Sequence, residues 1–445
     1  MGACDSSKPA VPPTSAAATT SPEPSEAVAL PDTPAGAQAR WLLAACARLP
    51  IPNVEVHAHF DTAFLAQVSP AMLNQALRGS ARVRLVSIEV NEPRTLVFTI
   101  STSRTHQQLR VTLSVDSQGL ISGLSIAPAV PPSPETWDAV DADLRSVAPE
   151  VRMLVADVTS GSCRPVHSID PATAAPLGST FKLYVLKALG DAIASGKISW
   201  SQPLTVTARI KSLPSGELQA EPDGTKVSVR DVAAGMISIS DNTAADMLIN
   251  LLGRPAVEAA LTAAGMADPA RDRPFLTTRE VFILKLDQWP RLAERYVAAN
   301  EAGRRALLAN TVDTAPLPTA AAARDWTTPR DIDSIEWFAS ADDICRVYTS
   351  LAALARRPGL SPIADVLAIN SGALPLDPAQ WKTIWFKGGS EPGVLTLAYL
   401  ATTRTGHSYV VAVLAENPSA PIDETSAIPV LLSAIKGAFT LAANG

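Results

Sequence analysis

The sequence predicts an α+β protein in two parts. A small domain of helices followed by hairpin-linked strands precedes a larger one whose sheet draws strands from both of its ends. Three observations lead there. Four alternating segments, VRLVSIEV, TLVFTIST, QLRVTLSV and LISGLSIA, follow one another with turn residues such as NEPR and DSQG between them. The run VRMLVADV in the middle of the chain is answered near the C-terminus by IWFKGG, VLTLAYLAT and SYVVAVLAE, with helical patterns between. Finally, 47% of the 445 residues are hydrophobic and only 18% charged, which supports a sizeable core.

Residues 1–36 hold small and polar residues with many prolines and almost nothing to bury, the composition of a tether. The GAC triplet at its start resembles the end of a bacterial lipobox, which makes Cys4 the expected lipidation site. The apolar signal segment that precedes a lipobox is missing from this sequence. A Cys–tether–globule order is what anchoring at the outer face of the cell membrane needs. No run approaches the roughly 20 apolar residues of a membrane-spanning helix. A net charge of −6 without a basic patch argues against nucleic acid as a partner.

The small domain is expected over residues 37–130. Ala39–Leu49 reads as a helix ended by Pro50, and Asp61–Leu77 as a second helical stretch despite Pro70, before the four strands. This order resembles the cystatin-like or NTF2-like domains, in which a curved sheet wraps on helices. Pro131–Pro134 (PPSP) marks the boundary, and residues 137–445 form the larger domain. It opens with a helix near Trp137–Val147 and closes with one over Ile428–Ala442. The stretch from Pro269 to Ser340 reads as an inserted helical subdomain with a Pro/Ala-rich loop. Cys46, Cys163 and Cys345 are far apart and odd in number, so all three are expected to be buried free thiols.

Three stretches carry chemistry. In PLGSTFKLYVLK, Ser179 and Lys182 are three apart, about 60° around a helix and one turn in height, so their side chains can meet. A serine at a helix start sits at the positive end of the dipole, which favours a developing oxyanion. The dipole and the apolar neighbours Phe181, Leu183 and Leu186 push Lys182 toward the neutral amine that a base requires. Alone, the pair reads first as an N-cap serine and a snorkelling lysine. About sixty positions on, MISISDNTAADML places Ser240, Asp241 and Asn242 between two helical runs, and alone it is a helix cap. In WFKGGSEPG, Lys387 ends a strand before a glycine turn.

Together and in this order, S-x-x-K, S-D-N and K-G-G resemble the serine β-lactamase and penicillin-binding-protein family. With its tether and small N-terminal domain, the arrangement is similar to actinobacterial lipoproteins of the mycobacterial LpqF type. It is also similar to the β-lactamase-like protein of the clavulanic-acid cluster. The resemblance implies a β-lactamase/transpeptidase-like fold, an antiparallel sheet flanked by helices. It implies Ser179 as the acylated nucleophile, Lys182 as its general base, and Ser240 as a proton relay held by Lys387. Asn242 is then expected to bind the acyl side chain. Amides of Ser179 and Ser390 form the oxyanion hole, with Gly388 and Gly389 permitting close approach.

Two departures shift the expected substrate. The family usually has Thr or Ser after the motif lysine, where its hydroxyl helps to hold a carboxylate; here that residue is Gly388. Class A β-lactamases need a water-activating glutamate, and Glu280 is the candidate by position, although Thr277–Glu280 also spells a capping box. The expected function is therefore a serine hydrolase acting on a small ester or acyl substrate, with weak or no β-lactamase activity. A peptidoglycan D,D-peptidase and a non-catalytic ligand-binding lipoprotein of the cell envelope are the alternatives. His57-x-His59 has no third ligand beside it, and no P-loop or dinucleotide fingerprint occurs, so neither metal nor cofactor is expected.

Overall fold

A computed structural model describes residues 28–78, 83–102 and 108–445; Cys4 and most of the expected tether lie outside them. The chain divides into two compact units between Ala129 and Val130.

Among the described residues, the first unit carries four helices, Pro34–Cys46, Asn53–His59, Thr62–Gln67 and Pro70–Leu77, then a four-stranded antiparallel meander. Its strands are β1 (Val83–Asn91), β2 (Thr95–Thr102), β3 (Gln108–Val115) and β4 (Ile121–Pro128). The first helix starts earlier than expected, because Thr33 caps it and Pro34 supplies a preset first turn. The single helix expected over Asp61–Leu77 is in fact two. Proline cannot continue a helix, so Pro70 opens a new one, with the Ser69 side chain accepting from the Met72 amide. Along β3 buried residues alternate with more exposed ones, and Val111 and Leu113 join Leu42, Phe60 and Phe98 in a core between helices and sheet.

The second unit is built on a five-stranded antiparallel sheet of order β11-β12-β13-β5-β6. Here β5 is Glu150–Asp157, β6 is Arg164–Ile169, β11 is Trp381–Glu391, β12 is Val394–Thr403 and β13 is Ser408–Glu416. Strands from both ends of the unit meet at the β13–β5 pair. β12 and β13 are almost wholly buried, because helices cover both faces, and they read accordingly as near-continuous apolar runs. On one face lie helices Trp137–Val147 and Glu424–Asn444, whose Leu144, Leu431 and Phe439 share a core with Tyr399 and Val411. The expectation that no run approaches a membrane-spanning length is corrected: Glu424–Asn444 is long and apolar enough by length and composition. That apolarity is used against the sheet, where much of the helix is buried.

The other face holds a helical layer centred on Lys182–Ala194, whose first nine residues are all buried. Around it stand Val229–Ser238, Asn242–Leu252, Arg254–Ala263 and Ala341–Ala355. Short strands complete the unit. β7 (Ala175–Pro176) pairs with β10 (Phe338–Ala339), and β8 (Pro203–Thr205) pairs with β9 (Lys226–Ser228).

The cysteine expectation is corrected. Cys163 and Cys345 form a disulfide with Cα atoms 6.2 Å apart, while Cys46 is buried and free. The partners are 182 residues apart. Only folding brings them together, by packing the helix Ala341–Ala355 against β5, whose hairpin to β6 carries Cys163.

Candidate active site

Ser179 and Lys182 meet, but not on one continuous α-helix. Gly178–Phe181 is a tighter 3-10 turn and the α-helix begins at Lys182. Lys182 Nζ lies 3.0 Å from Ser179 Oγ. It also lies 2.6 Å from the Ser240 carbonyl, 3.1 Å from Ser240 Oγ and 2.7 Å from Asn242 Oδ1. The lysine is wholly buried, and burial holds its pKa well below the usual lysine range. The nearby Lys387 lowers it further, against the opposing charges of Asp246 and Asp241. A neutral amine has two hydrogens and one lone pair. Two of its four partners, the Ser240 carbonyl and Asn242 Oδ1, can only accept, so they take both hydrogens and leave the lone pair facing the two hydroxyls.

Ser240 is held in the left-handed region with φ +57°, a conformation that costs a serine about 1–2 kcal/mol. That strain aims its carbonyl at Lys182 and its hydroxyl between two lysines. Lys387 Nζ, from β11, donates to Ser240 Oγ at 3.0 Å and to the Gly388 carbonyl at 2.5 Å. Burial lowers the Lys387 pKa to about 7. Asp241 stays out of this group. One oxygen caps the helix Asn242–Leu252 through the Ala244 amide, and the other accepts from the Glu217 and Leu218 amides. Asn242 is engaged inward as well, its Nδ2 donating to the Leu213 carbonyl at 3.1 Å, so a ligand contact draws on its second Nδ2 hydrogen.

Glycine brings β11 onto the nucleophile turn. Gly178 has φ +50°, and a Cβ there would lie 2.8 Å from the Ser390 amide nitrogen. A Cβ on Gly389 would lie 2.3 Å from the Leu177 carbonyl oxygen. The contact is fastened by Thr396 of β12, whose hydroxyl donates to the Leu177 carbonyl (2.8 Å) and meets Thr180 Oγ1 at 2.7 Å. Ser179, Ser240, Asn242, Lys387, Gly389 and Ser390 all border one cleft of about 600 Å³. The arrangement can activate a hydroxyl, return a proton through a second hydroxyl and offer amides to an oxyanion.

Residues 136–333 match the β-lactamase enzyme family, and residues 30–121 match a family described as the N-terminal part of the ORF 12 gene product. Over residues 136–333 the larger domain is similar to the β-lactamase enzyme family. No curated protein matches the chain in sequence. Among solved structures, the chain is similar to a β-lactamase from Sphaerobacter thermophilus, with 19% identity and TM-score 0.49 over 69% of this chain and 97% of that one. It is similar to PBP-A at 19% identity and TM-score 0.46, over 70% and 99% of the two chains. A β-lactamase from Chitinophaga pinensis gives 16% identity and TM-score 0.47, over 69% and 98%. The family match ends before β11, so Lys387 joins the candidate site through its geometry alone.

Glu280 is not in the cleft. Its carboxylate closes the capping box with the Thr277 amide (2.7 Å) and pairs with Arg254 at 2.6 and 3.1 Å. The sequence reading missed three other carboxyl groups that do border the cleft, Glu336, Glu391 and Glu424. Glu336 Oε2 accepts from the Gly178 amide (3.1 Å) and the Trp337 amide (3.0 Å), directly beside the nucleophile. Lys285 Nζ lies 2.5 Å from Glu391 and 3.8 Å from Glu336. Burial pushes both acids upward, Glu391 furthest, against the attraction of Lys285. Glu391 stands four positions after Lys387 in the strand motif, which is the signal that could have found it. Glu336 had none, since it lies on the loop leading into β10.

Proposed function

We propose that the protein is an esterase, a serine hydrolase that hydrolyses small esters through an acyl-enzyme on Ser179 and has weak or no β-lactamase activity. The observation that carries this is the position of Lys182 Nζ between Ser179 Oγ and Ser240 Oγ, at 3.0 and 3.1 Å. Ser179 Oγ attacks the ester carbonyl and its proton passes to Lys182, while amides of Ser179 and Ser390 stabilise the oxyanion. As the tetrahedral adduct collapses, the C–O bond to the alcohol breaks and Ser240 gives that oxygen a proton, which Lys182 restores. Water then cleaves the acyl-serine ester.

Two features support esters over lactams. A Cβ at Gly388 would lie 2.8 Å from Phe386 Cζ, so hydrocarbon stands where a hydroxyl could hold a substrate carboxylate. Glu280, the candidate water base, is committed to Arg254. The test is a panel of chromogenic short-chain esters run beside nitrocefin on wild-type and Ser179→Ala protein. Esters should turn over faster than nitrocefin and only in the wild type; activity retained by Ser179→Ala would reject the mechanism.

The same reading puts the protein outside the cytoplasm, anchored through Cys4, with the helix-and-meander unit as an NTF2-like module. The Cys163–Cys345 disulfide supports an oxidising compartment. Intact-mass analysis of the membrane fraction should find a diacylglycerol adduct on Cys4, and an unmodified Cys4 there would reject the anchor.

A further inference from the structure

We propose that the Glu336–Glu391 end of the cleft is a subsite for a cationic group on the acyl part of the substrate, so that ammonium-bearing esters are selected over their carboxylate counterparts. This rests on the esterase reading and specifies its substrate class.

The walls of the cleft carry three carboxyl groups, Glu336, Glu391 and Glu424, against one cation, Lys387. Lys387 is already engaged with Ser240 Oγ and the Gly388 carbonyl, so it has little to offer a substrate anion. At the acidic end, Glu336 and Glu391 share one cation among the described residues, Lys285, at 3.8 and 2.5 Å. Two buried carboxyl groups face one ammonium, and burial disfavours ionising both, so the pair ionises fully only when a second cation joins Lys285. A ligand cation supplies the missing partner.

Aromatic faces stand at the same end. Lys285 Nζ lies 5.5 Å from the centre of the Trp326 ring, and Phe282 meets that ring edge to face at 6.3 Å; both rings border the cleft. Carboxylates beside aromatic faces are the surroundings that attract alkylammonium groups. The subsite adjoins the reacting centre, since Glu336 holds the amide of Gly178, the residue before the nucleophile. Phe386, Leu397 and Ile428 also border the cleft and present hydrocarbon, which does not compensate a substrate carboxylate.

The test compares p-nitrophenyl esters of three acyl chains of similar size, 4-trimethylammoniobutanoyl, 5,5-dimethylhexanoyl and glutaryl, on the full chain. The cationic ester should exceed the anionic one in kcat/KM by about tenfold or more, with the neutral one between, and salt should compress the ratio. Glu391→Gln should bring the two charged esters to within about threefold of each other. An equal or faster glutaryl ester in the wild type would overturn the proposal, and it does so even if the variant fails to fold. An unchanged ratio in a folded Glu391→Gln protein would overturn it as well. If none of the three is hydrolysed, the esterase reading fails separately. Charge preference is then read from protection of Ser179 against a neutral fluorophosphonate by the matching methyl ketones. Best protection by the cation supports the subsite, and equal protection by the anion rejects it.

Discussion

A side-chain carbon on Gly389 would sit 2.5 Å from the amide nitrogen of Ser179. The strand and the nucleophile turn are therefore in backbone contact, and only glycine permits it. Gly389→Ala should push β11 away and misplace the amides that face the oxyanion. Acylation of Ser179 should slow about 10²-fold or more, while stability falls by only about 1–3 kcal/mol. Stopped-flow acylation beside a urea melt separates the two effects.

Ser240 is strained in order to work. Its φ of +57° suits glycine, so Ser240→Gly should gain about 1 kcal/mol of stability while losing the hydroxyl between the two lysines. Turnover should drop about 10²-fold or more. Ser240→Ala should lose as much activity without the gain. Denaturant midpoints and kcat/KM for the pair check this.

The buried lysines set the response to pH. Lys387 has a pKa of about 7 in the folded protein, against about 10.4 in an unfolded chain. Between these values the unfolded chain binds more protons, so stability rises with pH across the window. The destabilisation is full below about 7 and gone above about 10. Lys182 acts in the same direction. Lys387→Met should flatten a slope of up to about 1.4 kcal/mol per pH unit and raise the Tm at pH 7. Thermal melts from pH 7 to 10 measure it. In the wild type, kcat/KM should fall on the acid side as Lys182 takes up a proton.

Glu280 should prove structural. Glu280→Gln leaves Arg254 without its buried partner and should cost about 3 kcal/mol or more. The ratio of acylation to deacylation rates should be unchanged, as read from the burst with an activated ester. A selective slowing of deacylation would return Glu280 to the chemistry.

What could be read from the sequence was whatever local spacing or alternation encodes. The three-residue spacing of Ser179 and Lys182 brings them together in the 3-10 turn as it would in the expected α-helix, and the paired runs at residues 151–158 and 408–416 announced a sheet closed by both ends of its domain. Pro70 was misjudged because the apolar pattern continues across it, although its ring cannot enter the turn before it. The Cys163–Cys345 bond and the Lys285–Glu336–Glu391 group depend on contacts between residues about 50 to 180 positions apart. No periodicity encodes these. They exist only once the helical layer packs against the sheet.

The most direct measurement is the site and rate of covalent labelling by a small activated ester or fluorophosphonate, followed by intact and peptide mass spectrometry. The account predicts one adduct, on Ser179, forming at least about 10²-fold more slowly in Lys182→Ala and with a rate in the wild type that climbs with pH. Labelling at another residue, or an unaltered rate in a folded Lys182→Ala protein, would contradict it.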